Sequence, residues 1–468
     1  MKFFQSVSLE EIDNVIENSL HKNDAYGVDN MNYKHFIENR EGISKKIFQG
    51  IRKKNYQFKP YRELLLLKNR YEPPRCISIP TLTDKVCLKL IQDYLKKVYS
   101  NNIVKQKIPQ THIEELKKSL NKYSHYIKVD IEKFFNNINQ EKLEEKLRDK
   151  LCDEDVDLIM KAVKNRTGAE SLHKGVPQGV SISNILTDIY MMDMDKKFIE
   201  DPDIFYSRYV DDILILCNKN DCEKKFKEVE KMLESDLDLT LHTGKTKYDI
   251  LSNSFDYLGY KVYLDSRDGK YKVAIKDVAI KKMEDRLINI IQQYKYSHKG
   301  TIPTATFIHR MNLLITGAVT NQLNNEVLER EKRYGWLYFY SQTDSIQCLY
   351  HLDSLIERKI NKITSKLAES KQNQINKSLK KFVVTYFEIK YNYSNSTYLF
   401  RPDRLKLEDK QEFLINTFGY GKNVIYFEYN KENYSSEEEF NEYIDKLYYK
   451  NVYMQIKKQE QDVLDMIS

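Results

Sequence analysis

Apolar residues recur every three or four positions from Leu9 to about Glu63. Ile12, Val15, Ile16 and Leu20 form one such series, and Phe36, Ile43, Ile47 and Ile51 another. This spacing lays one side of a helix against a core. Gly27-Val28-Asp29 reads as a turn between two helices. From Tyr61 to Pro80 the pattern changes to short apolar runs, Leu64-Leu65-Leu66-Leu67 and Ile77-Ser78-Ile79, separated by Asn69-Arg70-Tyr71-Glu72-Pro73-Pro74, which predicts a hairpin. A helix begins at Thr83 and carries Val86, Leu88, Leu90, Ile91 and Leu95. His125 to Ile131 reads as a buried strand, followed by a helix through Leu143, Leu147 and Leu151. Val180 to Phe198 is an apolar helix. Phe205–Tyr209 and Ile213–Cys217 are two strand-like halves with Asp211-Asp212 between them. A charged helix (Lys224 to Glu234) and strand pieces around Leu239, Leu241, Phe255 to Val262 and Tyr271 to Ile275 complete the order strand, helix, hairpin, helix, strand, which is that of a split βαβ sheet. Beyond Lys276 the chain reads as mainly helical through Leu367, and the polar stretch Ser365 to Lys380 as a linker. Alternating Tyr-rich segments, Phe382 to Phe387 and Val424 to Phe427, then predict strands, and a last helix contains Glu437 to Tyr449. These make a small α+β unit.

A chain of 468 residues holds roughly three or four structural units and excludes a peptide hormone or a lone binding module. Lys plus Arg exceed Asp plus Glu by 76 to 69, a net +7 that permits a nucleic-acid partner without requiring one. The 12% aromatic share places the chain among folded proteins rather than disordered ones. Six cysteines (Cys76, Cys87, Cys152, Cys217, Cys222 and Cys348) form no C-x-x-C pair or zinc-ligand spacing, as expected of reduced thiols. Acidic residues from Glu10 onward interrupt the start before a secretory apolar core develops. No run reaches the 18 or so apolar residues of a spanning helix. A cytoplasmic protein with no membrane partner is the expectation.

The sharpest chemical feature is Tyr209-Val210-Asp211-Asp212. Two adjacent carboxylates at a hairpin tip raise each other's pKa unless a cation or solvent stabilises them. An exposed acidic turn would look the same in isolation. Asp130, however, ends a strand that a split βαβ sheet can lay beside this hairpin, gathering three carboxylates. Three hard oxygen donors suit Mg²⁺, which completes its shell from water and substrate phosphates. Two such ions would activate a 3′-hydroxyl and stabilise a leaving pyrophosphate, the chemistry of nucleotidyl transfer.

Asp130-x-x-x-Phe134-Phe135, Gly175-Val176-Pro177-Gln178-Gly179, Tyr209-Val210-Asp211-Asp212, Gly244-Lys245-Thr246 and Phe255-x-x-Leu258-Gly259-Tyr260 resemble, in order and spacing, the palm motifs of reverse transcriptases. Upstream, Gly27-Val28-Asp29 and Arg75-x-Ile77-x-Ile79-Pro80-Thr81-x-x-Asp84-Lys85 resemble the finger motifs of the group II intron-like bacterial branch. The resemblance covers about Gly27 to Val262, with a less specific thumb-like continuation to about Leu367.

It implies an α+β right-hand polymerase fold. Residues 1–110 would be N-terminal helices and fingers, 111–275 a split βαβ palm with finger insertions, 276–368 a helical thumb, and 369–468 the small C-terminal α+β accessory unit. Asp130, Asp211 and Asp212 would hold Mg²⁺, with the Ile131 carbonyl as an extra ligand. Tyr209 belongs to the substrate-binding set. Phe135 would stack under the sugar and exclude a 2′-hydroxyl; a core phenylalanine is the plain alternative. Gln178 would reach the incoming nucleotide, or merely form a turn into a helix. Arg75 would grip the triphosphate with a planar, permanently charged fork, or be an ordinary surface arginine. Lys245 matches the position associated with protonating pyrophosphate, with Lys247 a close competitor. Phe255 to Tyr260 resembles the primer grip and would also serve as plain core. Lys332-Arg333-Tyr334-Gly335-Trp336, read as helical, would track a template-primer backbone or be half core and half solvated face.

Val180-Ser181-Ile182-Ser183-Asn184 departs from the Ser-Pro pair of many intron and retron enzymes and resembles abortive-infection and other defence-associated reverse transcriptases. The implied activity is RNA-directed DNA polymerisation of dNTPs in antiviral defence. Its partners are an RNA template, such as a dedicated noncoding RNA, the DNA product, and a partner protein or second copy of the chain. A group II intron-type maturase is the alternative enzyme, and an RNA-binding scaffold without catalysis the alternative of another class. No H-N-H or other zinc-ligated nuclease signature is visible near the C-terminus, which disfavours intron homing.

Overall fold

The computed structural model describes residues 2–20, 25–67, 74–105, 107–165, 174–297, 302–322, 330–365 and 367–467. The expected hairpin turn at Asn69 to Pro73 lies outside these residues. The chain divides into two compact units, Met1–Lys107 with Ser119–Leu251, and Ile108–Lys118 with Ser252–Ser468.

In the first unit, helix Leu9–Ser19 starts at a capping box in which Ser8 and Glu11 bond each other's backbone amides, and it buries Ile12 and Ile16. Helices Arg40–Arg52 and Leu82–Val98 pack in the same core. Strands β1 (Arg62–Leu66) and β2 (Arg75–Ile79) form the expected antiparallel ribbon, but its leucines face solvent; Leu65 is 63% exposed. The finger-like motifs interlock beside this ribbon. A Cβ on Gly27 would meet the Thr81 backbone at 2.6 Å, and the buried Asp84 carboxylate accepts from the Tyr56 hydroxyl, the Lys59 amide and the Thr81 hydroxyl.

The split sheet is present. Strands β3 (His125–Asp130), β4 (Phe205–Tyr209), β5 (Asp212–Cys217) and β6 (Lys247–Ile250) lie in the order β4-β5-β3-β6, each neighbouring pair antiparallel. Ile213 to Cys217 are all buried, so this central strand reads as a continuous apolar run rather than an alternating one. Helix Ser183–Ile199 packs against β4 and is buried almost all round, with Ile185, Leu186, Ile189, Met191 and Phe198 inside. Leu239 and Leu241 are buried but lie in no strand; Leu241 makes a single bridge to Ile131.

The second unit opens with helix Pro109–Ser119 and a three-strand meander, β7 (Phe255–Tyr257), β8 (Tyr260–Asp265) and β9 (Lys270–Ile275). The β7–β8 turn consists of Leu258 and Gly259, both at positive φ (44° and 79°). A Cβ on Gly259 would approach the Tyr340 hydroxyl at 3.1 Å, which accounts for the glycine in the Leu-Gly-Tyr signature.

Several expectations for this unit are overturned. The region after Lys276 is mainly helical, as expected, but Lys332 to Tyr334 are not part of a helix: β10 (Ala318–Gln322) and β11 (Arg330–Tyr334) pair antiparallel. Long-range pairing supplies the hydrogen bonds that the local, highly polar pattern did not announce. The supposed linker contains helix Glu369–Ser378, anchored by fully buried Ile375. Phe382 to Phe387 belongs to helix Phe382–Tyr391, whose first amides, on Phe382 and Val383, donate to the Asp353 carboxylate. That cap outweighs the β propensity of an aromatic and β-branched run. Val424 to Phe427 forms helical turns. Among the described residues no strand follows Tyr334, and the C-terminal region is helical rather than α+β. Its core joins Leu414, Ile425, Phe440, Ile444, Tyr448, Val452 and Ile456. Among the described residues no helix is long and apolar enough to cross a membrane.

Candidate active site

Asp130 and Asp212 are direct cross-strand partners, Asp130 at the end of β3 and Asp212 at the start of β5. Tyr209 and Asp212 close the β4–β5 hairpin around a two-residue turn, Val210-Asp211. Val210 has φ 58°, while Asp211 stays at negative φ. This is the pattern of a type II′ turn, whose first central position favours glycine. A β-branched residue there is strained and must be held by its surroundings. The turn places Asp211 beside the other two carboxylates. Burial first, then the charges of Asp212 and Asp130, pushes the Asp211 carboxyl up to about 6, against a backbone hydrogen bond and the Arg75 guanidinium, which pull it down. Arg75, exposed at the start of β2, is therefore within electrostatic reach of Asp211. Tyr209 is half-buried, and burial raises its hydroxyl.

A loop from His242 to Thr246 clamps the other side of Asp130. The His242 amide donates to the Asp130 carbonyl (2.8 Å), and the Asp130 amide donates to the Thr246 hydroxyl (3.3 Å). The Lys245 ammonium lies 3.4 and 3.5 Å from the two Asp130 carboxylate oxygens. Its competitor Lys247 sits instead over the Tyr126 ring, 5.8 Å from the centroid.

Phe135 follows Lys133, whose left-handed backbone (φ 45°) turns the chain into the short helix Phe134–Asn137. Phe134 is buried, whereas Phe135 is half-buried and edge-on to it. The Gly175–Gly179 loop is laced to this segment by the Gly175 amide on the Ile138 carbonyl (2.6 Å) and the Val176 amide on the Phe135 carbonyl (2.7 Å). Gly175 has φ 80°, and a Cβ there would lie 2.7 Å from the Asn136 carbonyl oxygen. Gln178 donates its side-chain amide to Asn136 Oδ1 (2.9 Å), while its carbonyl accepts from the Ser78 amide of β2 (2.7 Å). Asp130, Asp211, Asp212, Lys245 and Arg75 thus form one electrostatic cluster, and Phe135 and Gln178 share a second, hydrogen-bonded segment of the same unit. Ile131 is buried and bridges to Leu241. The Phe255 to Tyr260 motif and Lys332 to Trp336 belong to the second unit, where Phe255, Tyr257, Tyr260 and Trp336 are core.

Among the described residues no three His, Cys, Asp or Glu side chains close around a point as a metal group. The donor set nevertheless suits a hard cation. Three mutually repelling carboxylates, one held protonated up to about pH 6 and another drawing an ammonium, are what a divalent ion would neutralise. Asn136, Arg208 and His242 were not singled out from the sequence, and Thr246 only as part of the Gly244-Lys245-Thr246 motif. Of these, Arg208 carried a signal: a permanent charge inside an apolar hairpin, opposite an apolar helix bearing Asp188 and Asp195.

The profile of the family described as "Reverse transcriptase (RNA-dependent DNA polymerase)" matches residues 51–262. Two Lactococcus lactis subsp. cremoris proteins, each described as "Group II intron-encoded protein LtrA", are 26% identical over 164 residues, covering 32% of this chain and 27% of theirs. The chain thus matches about a quarter of the length of these curated relatives. A solved structure of apo telomerase from Candida tropicalis, truncated from its C-terminal domain, is similar at a TM-score of 0.35 and 16% identity, covering 54% of this chain and 63% of that one. Residues 51–262 thus match a reverse transcriptase domain, a family described as RNA-dependent DNA polymerases.

Proposed function

We propose that this protein copies RNA into DNA, adding dNTPs to a primer 3′-hydroxyl at Asp130, Asp211 and Asp212. The observation that carries this reading is the Asp130–Asp212 cross-strand pair with Asp211 in the adjoining turn, in a matched reverse transcriptase domain. The three carboxylates, with the Ile131 carbonyl, would hold Mg²⁺. When bound, the ions supply charge neutralisation for the attacking and leaving oxygens. Arg75 binds the triphosphate through its planar fork. Phe135 packs against the sugar and disfavours a 2′-hydroxyl, and Gln178, oriented by Asn136, contacts the incoming nucleotide beside Tyr209. Lys245, which holds a proton on Nζ beside Asp130, gives that proton to the departing pyrophosphate. Residues 1–110 act as fingers, 111–275 as palm, 276–368 as thumb and 369–468 as an accessory unit.

The biological setting we favour is antiviral defence in the cytoplasm with a dedicated noncoding RNA as template and a partner protein or second copy of the chain. Val180-Ser181-Ile182-Ser183-Asn184 supports that choice. The similarity to intron-encoded proteins supports a second reading, a maturase bound to its own intron RNA. Sequencing the RNA that copurifies with the protein separates them: a noncoding RNA outside any intron supports defence, and a surrounding intron supports the maturase. A protein that still performs its biological role with both Asp211→Ala and Asp212→Ala would be an RNA-binding scaffold instead.

A further inference from the structure

Arg208 ends its side chain inside the protein, 3% exposed, between Asp188 (6%) and Asp195 (0%) of helix Ser183–Ile199. Its Nε and Nη2 grip both oxygens of Asp195 at 2.7 and 2.5 Å, and Nη2 also reaches Asp188 at 3.1 Å. The Tyr206 hydroxyl donates to the same Asp195 carboxylate at 2.7 Å. Neutralising these acids uses one edge of the guanidinium. The remaining nitrogen, Nη1, donates to the Val210 carbonyl at 3.0 Å. Val210 is the residue in left-handed conformation at the tip of the carboxylate turn.

We propose that Arg208 is a positioning residue for the polymerase site. It fastens the strained Val210 carbonyl to helix Ser183–Ile199 and so fixes where Asp211 and Asp212 present their carboxylates. This rests on the polymerase reading given above. Three observations converge on it. A buried ion triplet is a poor device for stability, since apolar residues of similar volume serve as well. A β-branched residue at positive φ persists only where its surroundings over-determine it, and a charge-assisted hydrogen bond to its own carbonyl does that. Finally, the same helix secures the Gln178 loop: the Ser183 hydroxyl at its first turn donates to the Pro177 carbonyl, and the Ser183 amide to the Val180 carbonyl. Arg208 therefore ties the carboxylate turn and the Gln178 loop to one rigid element, and a planar fork is needed because lysine cannot reach Asp195 and the carbonyl together.

The experiment compares single-nucleotide incorporation and thermal melting in the full chain for four variants of the site and one stability control beside the parent. The site variants are Arg208→Lys, the triple variant Arg208→Met/Asp188→Asn/Asp195→Leu, the rescue variant Arg208→Lys/Val210→Gly, and Asp211→Asn/Asp212→Asn. Asp155→Asn, which weakens a remote buried acceptor of the Phe3 amide and Tyr94 hydroxyl by removing its charge, calibrates the effect of lost stability alone. The anchoring role predicts that the triple variant folds, with no buried charge left unpaired, yet loses about 100-fold in kcat, the scale of a misplacement of about 1 Å, with KM for dNTP nearly unchanged. Arg208→Lys falls similarly, and Val210→Gly, by relieving the turn, restores part of that loss. Parental kcat in a folded triple variant or in Arg208→Lys overturns the proposal, as does a loss no larger than that of Asp155→Asn at equal melting temperature. If the triple variant does not fold, Arg208→Lys and its glycine rescue decide alone. Incorporation surviving in Asp211→Asn/Asp212→Asn would instead sink the polymerase reading itself.

Discussion

Asp211 is an acid that the fold holds at a disadvantage. Its carboxyl titrates near 6 rather than 3.8, because burial and two neighbouring carboxylates oppose its ionisation. The sign follows from linkage: the folded chain binds this proton more tightly than the unfolded chain, so the ionised group lowers stability. The cost is nearly full above about pH 6, shrinks as the pH falls through the folded value, and is gone only below the ordinary 3.8. Asp211→Asn should therefore raise the metal-free protein's unfolding free energy by up to about 3 kcal/mol at pH 7.5, at about 1.4 kcal/mol per pH unit of difference, and by only about 1 kcal/mol at pH 4.5. Urea titrations in chelator at both pH values check this; equal effects at both would show that repulsion is not the cause. At Phe135 the expectation concerns selectivity. Phe135→Ala opens the half-buried position beside the Gln178 segment and should raise ribonucleotide over deoxynucleotide incorporation by tenfold or more, about 1.4 kcal/mol of lost discrimination. An unchanged ratio in competition assays would return Phe135 to the core. Val210 marks the same logic at the backbone: its left-handed strain, about 1–2 kcal/mol, is matched in size by one hydrogen bond from a charged donor, about 1.5–3 kcal/mol.

Among the elements, the Gly175–Gly179 loop is the piece whose geometry tolerates least. Gly175→Ala would force a side chain into left-handed backbone and against the Asn136 carbonyl. A loss of about 2 kcal/mol in stability and a larger fall in nucleotide affinity than in affinity for primed template are expected. Melting and dNTP titration measure the two effects. The sheet itself was legible in the chain because β3 and β5 are short apolar runs bounded by polar residues, and because carboxylates at strand ends have few structural uses. What the chain did not disclose depended on distant partners. Helix Phe382–Tyr391 exists where its residues favour a strand because Asp353, some thirty residues upstream, receives its first amides. The β10–β11 hairpin is made by pairing between polar segments that carry little periodicity of their own. The four exposed leucines of Leu64–Leu67 resembled core and are surface. Within the site, the aspartates were legible as a motif, whereas Asn136 and His242 act through backbone and amide contacts that spacing alone does not encode.

For the whole molecule, a net charge of +7 spread over 145 charged side chains gives only a modest long-range attraction for nucleic acid, so binding must rely on local phosphate contacts. Affinity for a primed RNA template should fall by about tenfold or more between 50 and 200 mM salt, the response expected when several phosphates are neutralised; fluorescence anisotropy across that range checks it. A flat response would mean that phosphates are not what the protein grips. The central claim is that three aspartates in a reverse transcriptase domain make DNA on an RNA template. The measurement that tests it most directly is incorporation of labelled dNTPs by the purified full chain with Mg²⁺, on its copurified RNA and on an added primed RNA, beside Asp211→Asn/Asp212→Asn. DNA that is complementary to the RNA and absent in the double variant is the predicted result; no DNA from the parent on either RNA, or equal DNA from both proteins, would contradict it.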